Sequence, residues 1–319
     1  MSLAAVASAG AILPNRRGRL GSLSDYFWRR PGVLVFLMLL PALLWLGIVY
    51  LGSLFALLLQ SFFSIDEFSG LVNHEFTLKT YAELLRPQNL DIIIRTVVMA
   101  ASVTVASAIV AFPIAYVAAR YARGHWKALF YLGIMLPLWA SYLVKVYAWK
   151  LILAKEGILN WTFEQLHLTW LLDAWLALPV IGGNSLSISY TGTFLVFLYV
   201  WMPYMILPIQ AAIERVPTNL LDAASDLGAT PRQAFWKVIF PLALPGVIAG
   251  SIFTFSLTLG DYIIPQIVGN SQFFIGQAVY SHQGTAGNIP LAAAFTVVPI
   301  VIMGIYLTLA KRAGAFDAL

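Results

Sequence analysis

The sequence contains no cysteine and few charged residues. Asp, Glu, Lys and Arg make up 10 % of the 319 residues, whereas hydrophobic residues make up 60 %. Without cysteine, disulfides and thiolate metal sites are excluded, and the redox compartment stays undetermined. Because long stretches carry no charge, the chain is too apolar for a water-soluble domain. The composition therefore predicts a polytopic membrane protein.

The common motifs of enzymes are also absent. The sequence has no Gly-x-x-x-x-Gly-Lys-Ser/Thr phosphate loop, no His-Glu-x-x-His zinc motif and no Gly-x-Ser-x-Gly nucleophile elbow. The histidines lie in different connecting segments, at His74, His125, His167 and His282. This scatter argues against a metal site. We expect no catalytic residue, and neither a metal nor a cofactor bound by this chain itself.

Six apolar segments are each long enough to cross a bilayer, which takes about 20 residues. They are residues 33–63, 92–119, 128–153, 189–213, 238–264 and 290–310. The first is too long for the apolar core of a signal peptide, so we interpret it as an uncleaved span. We predict an all-α protein with six transmembrane helices within residues 31–312. Residues 1–30 and 313–319 would form cytoplasmic tails.

Basic residues are concentrated on one side of this arrangement. Of the 19 Lys and Arg residues, 13 lie before the first span, between the second and third, between the fourth and fifth, or after the sixth. The loop at 265–289 has none. Because basic flanks favour the cytoplasm, both termini and residues 214–241 are predicted to be cytoplasmic. The net charge of +5 is then explained by basic residues that flank the lipid bilayer on its cytoplasmic side, and no nucleic-acid partner is expected.

The segment at 154–188 combines tryptophans with polar residues, and its apolar run is too short to cross. We interpret it as an amphipathic helix lying at the outer interface. A seventh span here is the alternative, but it would place residues 214–241 outside and against the charge bias.

The polar stretch between the fourth and fifth spans predicts a helix, a turn and a second helix. Good helix formers occupy residues 222–227, and Gly228 can take the positive φ that ends a helix. Thr230 followed by Pro231 can cap and start the next helix. An acidic residue at the start of the first helix, Asp222, would be favoured by the helix dipole.

This stretch, residues 220–241, resembles the EAA loop of the permease subunits of importer-type ABC transporters. The family pattern is Glu-Ala-Ala, three residues, Gly, nine residues, Ile, one residue and Leu-Pro. It is matched at the same spacing by Asp222, Ala223, Ala224, Gly228, Val238, Phe240 and Pro241. Each departure keeps the residue class. Further segments resemble permeases of the spermidine/putrescine type, namely residues 145–149, 156–160, 201–208, 241–246 and 260–262.

The resemblance implies a type I ABC importer permease fold in the inner (plasma) membrane of a bacterium. In that family the loop is a coupling helix that docks on a separate ATPase. The implied coupling residues are Asp222, Ala223, Ala224, Asp226, Leu227, Gly228 and Pro241. The implied partners are two ATPase subunits that hold ATP and Mg, a second permease that is a different chain, and a periplasmic or extracellular substrate-binding protein. The bland alternative is a helix-Gly-helix connector that sets the angle of two spans.

Polar residues inside the spans are candidates for the translocation path, because charge in a membrane is costly. The candidates are Lys145, Tyr147, Asp261 and Tyr262. For Lys145, a role in a cavity and snorkelling to the interface both stay open. Asp261 can pair with a basic residue or meet a cationic substrate. Arg95, at the start of the second span, is interpreted as a helix-end anchor.

The fifth span carries small residues at every fourth position. They are Gly246, Gly250, Thr254 and Thr258. This spacing places them on one stripe, where another helix can pack closely. We interpret the stripe as the seam with a second permease subunit, with ordinary membrane glycines as the alternative.

The sequence thus predicts the permease subunit of an ATP-driven importer, with a small polar or cationic solute and polyamine as the leading guess. Because the ammonium of Lys145 would repel a cation, an amino-acid derivative or another small organic ion stays open. An ion-gradient-driven secondary transporter is a second class, and a membrane scaffold without transport is a third. Internal repeats and mid-membrane carboxylates, which secondary transporters commonly carry, are not evident.

Overall fold

A computed structural model describes residues 31–66 and 68–312 of the chain. The predicted tails, 1–30 and 313–319, lie outside the described residues. The described residues fall into two compact units, divided between Leu57 and Leu58. The first helix, α1 (Gly32–Gln60), is long and apolar enough to span a membrane.

The rest of the chain is almost entirely helical. A short hairpin, β1 (Ser64–Ile65) and β2 (Val72–Asn73), is antiparallel. The helices that follow are α2 (Lys79–Leu84), α3 (Pro87–Arg120), α4 (His125–Trp139), α5 (Tyr142–Ile152), α6 (Ile158–Gln165), α7 (Thr169–Leu176), α8 (Tyr190–Glu214), α9 (Thr218–Asp226), α10 (Pro231–Gly260), α11 (Ile263–Ile267), α12 (Ile275–Gln283) and α13 (Ile289–Arg312). A 3₁₀ turn, Leu186–Ile188, precedes α8.

Among the described residues, five helices are long and apolar enough to cross a membrane, namely α1, α3, α8, α10 and α13. A sixth span results if α4 and α5 are taken together. The structure therefore agrees with an all-α membrane protein of up to six spans.

The third predicted span is not a single helix, and it breaks a few residues after Pro137. α4 and α5 meet at an angle of 97°. Ala140 and Ser141 have ψ values of 141° and 131°, so the backbone is extended at the break. Extended residues cannot continue the ladder of hydrogen bonds, and the carbonyls at the end of α4 lose their partners.

α8 lies at the centre of the helical bundle, against α3 and α10. Its side chains at Phe197, Met205 and Ile209 are fully buried. Met205 and Ile209 share a cluster with Ala111 and Ala115 of α3, which are also fully buried. Small residues on α3 let the larger α8 side chains fill the space between the two helices, since interiors pack densely.

The small-residue stripe of α10 faces α8 of the same chain. A Cβ on Gly246 would lie 2.5 Å from the Ala212 side chain, and one on Gly250 would lie 3.1 Å from the Met205 backbone. The other stripe residues, Thr254 and Thr258, are buried. These residues therefore pack closely against a helix of the same chain, and the seam with a second permease subunit stays a prediction.

The segment between α5 and α8 also differs from its prediction. It forms two short helices, α6 and α7, rather than one amphipathic helix. His167 separates them with a φ of 55°, a conformation that ends a regular helix.

Candidate functional site: the coupling loop and the path residues

Residues 214–241 run from the end of α8 through α9 to the first turns of α10, and they are called the coupling loop. Its first helix, α9, ends at a Schellman turn built on Gly228, whose φ is 78°. The Gly228 N–H donates to the Ser225 carbonyl at 2.8 Å, and the Ala229 N–H donates to the Ala224 carbonyl at 2.9 Å. Glycine suits this position because a left-handed φ is costly for residues with a Cβ.

The second helix starts at a complete capping box. The Gln233 N–H donates to Thr230 Oγ1 at 3.4 Å, and the Thr230 N–H donates to Gln233 Oε1 at 2.9 Å. Pro231 follows as the first helical residue. Both ends of the joint are thus set by local sequence, as the Gly228 and Thr230-Pro231 pattern predicted.

The face of α9 is exposed. Leu227 is 89 % exposed and Leu220 is 43 % exposed. Asp222, Ala223 and Asp226 are also exposed, so the face offers carboxylates, a small side chain and a leucine together. Exposed leucines beside carboxylates suit a protein partner better than water.

One detail of the prediction is wrong. Asp222 lies in the second turn of α9, and the first turn of this helix has no acidic residue. The helix begins at Thr218, earlier than the predicted start, so the dipole at its N-terminus does not act on Asp222.

Pro241 acts on the helix that follows the joint. It has no N–H to donate to the Lys237 carbonyl, and its ring crowds that carbonyl. The turn before it, Phe235–Ile239, is π-helical, and the Phe240 N–H donates to the Phe235 carbonyl. α10 therefore contains a widened turn near its start, within the coupling loop and before the membrane-spanning part.

Aromatic side chains attach this widened turn to α3. The Phe235 ring lies 5.7 Å from Phe112 and 5.4 Å from Tyr116, edge to face in both pairs. Phe112 also lies 5.6 Å from Phe240. The first turns of α10 are therefore packed against α3 through aromatic side chains of both helices.

The path candidates do not form one site. The hydroxyl of Tyr142 donates to Asp261 Oδ2, and the Ile264 N–H donates to Asp261 Oδ1 at 2.9 Å. Tyr142 also stacks on Trp201 at 5.8 Å. Asp261 thus ends α10 and starts the next turn, and within the described chain its carboxylate accepts from a tyrosine and from backbone amides.

Lys145 lies across the break in the third span. Its Nζ donates to the Pro137 carbonyl of α4 at 2.7 Å, so α5 supplies a donor to a carbonyl that the break leaves free. This contact is neither of the roles that the sequence left open. Tyr147 is 54 % exposed, and Tyr262 stacks on Tyr280 at 5.1 Å.

A cavity of 1070 Å³ opens near the start of α3, at the end of the bundle opposite the coupling loop. Arg95 lies in it, paired with Asp91, and donates to the Phe273 carbonyl at 2.9 Å. Its guanidinium is also 5.9 Å from the Tyr190 ring centroid. The sequence predicts a helix-end anchor at Arg95, and its position within an apolar helix is the signal for a further role.

A bundle of apolar helices with an exposed, glycine-jointed helical loop at one end defines the class of protein: a permease subunit of an ABC importer. The chain belongs to the family of binding-protein-dependent transport system inner membrane components, whose profile matches residues 166–314. It is therefore a transport subunit, and ATP is hydrolysed by a separate ATPase subunit.

Three relatives illustrate the similarity. The chain is 58 % identical over 306 residues to the inner membrane ABC transporter permease protein YdcU of Escherichia coli K12, covering 96 % of this chain and 97 % of the relative. It is 28 % identical over 285 residues to the spermidine/putrescine transport system permease protein PotB of the same organism, covering 88 % and 94 %. Its fold matches a chain of a bacterial alginate ABC transporter solved with an alginate-bound periplasmic protein, with a TM-score of 0.65 and 16 % identity over 93 % of this chain and 97 % of that one.

Proposed function

We propose that this permease moves a small cationic solute of the polyamine class into the cytoplasm, and that the coupling loop is the site on which the ATPase acts. The residues of that site are Asp222, Ala223, Ala224, Asp226, Leu227, Gly228 and Pro241. The observation that carries the proposal is the exposed face of α9 between two sequence-determined ends, the Gly228 turn and the Thr230 cap.

The orientation is part of the proposal. Positive flanks at the coupling-loop end, among them Arg120, Lys127 and Arg232, support a cytoplasmic coupling loop and cytoplasmic termini. The cavity around Arg95 then opens toward the outside, where a substrate-binding protein would deliver the solute. We include a second permease, as a different chain, and two ATPase subunits in the assembly.

The solute class rests on the PotB similarity and on the residues of the outer cavity. Lys145, whose charge would favour a carboxylate over a cation, does not line this cavity, and its ammonium donates to the Pro137 carbonyl. Asp91, in the outer cavity, keeps 64 % of its side chain exposed although it pairs with Arg95. Tyrosine and tryptophan rings line the same cavity, at Tyr190 and Trp175. Aromatic faces and a carboxylate suit an alkylammonium.

The experiment is reconstitution of the permease with its companion chains in proteoliposomes. We expect radiolabelled spermidine or putrescine to enter only when ATP and the binding protein are supplied. Uptake by this chain alone, driven by an ion gradient, would establish a secondary carrier instead. ATP-dependent uptake that an amino-acid derivative competes and polyamines do not would keep the importer and remove the polyamine.

A further inference from the structure

The last residue of α8, Glu214, gathers side chains from α4 at the coupling-loop end. Its carboxylate accepts from Lys127 Nζ at 2.9 Å and from the Tyr131 hydroxyl at 3.1 Å. The Gln210 amide donates to the same carboxylate at 3.3 Å. Lys127 and Tyr131 stand four residues apart, on one face of α4, so a single helix holds the carboxylate at two points.

The residues next to Glu214 are held from α3. The Arg120 guanidinium donates to the Val216 carbonyl at 3.0 Å. Val216 is buried, and α9 begins two residues later, at Thr218. The segment that leads into α9 is therefore held by Arg120 of α3 and by Lys127 and Tyr131 of α4.

From these contacts at Glu214 and Val216, further side-chain contacts continue to the opposite end of the bundle. α4 runs from Lys127 to the break, where Lys145 joins α5 back to the Pro137 carbonyl. α5 in turn reaches the end of α10 through Tyr142 and Asp261. The two halves of the broken span thus connect the base of α9 with the far end of α10.

We propose that the Lys127–Glu214 ion pair makes α4, besides α9, an element that transmits the movement caused by the ATPase. When the ATPase displaces α9, the pair carries the displacement into α4 and, across the break, into α5. The inference rests on the proposed function, because it needs an ATPase acting on α9. Lys127, Tyr131 and Glu214 are positioning residues in this scheme.

The energetics fit a mechanical role better than a stabilising one. The side chains of Lys127 and Glu214 are 40 % and 29 % exposed. Ion pairs this open contribute little to folding. The additional hydrogen bonds from Tyr131 and Gln210 fix the geometry of the carboxylate. Removing the pair is therefore expected to change the connection between α4 and α8 with little loss of stability.

The natural absence of cysteine permits a direct test by spin labelling. Labels are placed on Trp139→Cys, at the exposed end of α4, and on Ile305→Cys, an exposed position on α13. The labelled permease is assembled with its companion permease and the ATPase subunits. The distance between labels is measured without nucleotide and after trapping with ATP and vanadate. The variants are Lys127→Glu, Glu214→Lys and the double reversal, with Arg123→Met, an exposed cation of the same turn, as the matched control.

We expect the nucleotide to shift the distance in the unaltered chain and in Arg123→Met. The shift should be lost in each single reversal and return in the double, which restores opposite charges. If a single reversal fails to assemble, Lys127→Met and Glu214→Gln replace it.

A shift that survives every single substitution, or no shift in an assembled complex, overturns the inference while leaving the ATPase on α9. Failure of the unaltered chain to bind any ATPase subunit would instead remove the proposed function.

Discussion

Replacing Gly228 by valine tests whether the backbone of the coupling-loop turn, rather than its surface chemistry, matters for docking. A Cβ at this position would meet nothing within 4 Å, so a larger side chain causes no clash. The φ of 78° nevertheless lies in the left-handed region. The substitution therefore isolates a single effect, which is backbone strain at the end of α9.

The left-handed conformation costs a residue with a Cβ about 1–2 kcal/mol, and a β-branched residue lies at the upper end. A cost of about 2 kcal/mol corresponds to a factor of roughly 30 in an equilibrium constant. Asparagine tolerates this region far better, so Gly228→Asn adds volume and polarity with little strain. The two variants together separate strain from bulk.

The measurement is the dissociation constant between the detergent-solubilised permease and the ATPase subunit, which needs no knowledge of the solute. We expect Gly228→Val to weaken binding about 10- to 30-fold and Gly228→Asn by less than about 3-fold. Both variants should reach the membrane at the level of the unaltered chain. Uptake per ATP hydrolysed should fall in the same order.

Two results would refute this reasoning. If Gly228→Val binds the ATPase like the unaltered chain, the turn does not have to hold its conformation for docking. If Gly228→Asn weakens ATPase binding as much as Gly228→Val does, the ATPase requires the absence of any side chain at this position, and the strain argument fails.

Three further predictions concern other parts of the chain. Lys145→Met removes the donor to the Pro137 carbonyl and should lower stability by about 1.5–3 kcal/mol, seen as a lower melting temperature in detergent; unchanged melting with lost solute uptake would assign Lys145 to the solute instead. Gly250→Val forces a side chain against the Met205 backbone and should destabilise by about 1–3 kcal/mol, whereas normal melting with lost pairing to a second permease would place the stripe at the subunit seam. Burial lowers the pKa of His282, so the unfolded chain takes up the proton first as the pH falls, and stability present above about pH 6.5 should decline below it; His282→Phe should flatten this decline, and an equal decline in the variant would contradict it.

Local signals in the sequence were sufficient for the turn of the coupling loop, although not for the start of α9 at Thr218. Gly228, Thr230 and Pro231 act on their immediate neighbours through φ preferences and capping, so the turn follows from residues a few positions apart. The long spans followed from length and apolarity alone.

The break in the third span could not be predicted in the same way. Ala140 and Ser141 are compatible with a helix, and the apolar run continues through them. The bend is accompanied by contacts between residues distant in sequence, such as Tyr142 with Asp261. The stripe on α10 has the same limit: its spacing indicates close packing but does not identify α8 as the neighbour.

The widened turn before Pro241 gives the chain room for one extra residue between the coupling helix and the membrane part of α10. A π-helical turn holds one residue more than an α-helical turn, whereas each residue of a regular α-helix adds about 100° of rotation. Deleting a single residue between 235 and 239 would therefore return this turn to an α-helical one and leave the direction of α9 about the α10 axis nearly unchanged. The same deletion in a regular turn further along α10 would rotate the exposed side of α9 by roughly a quarter of a circle.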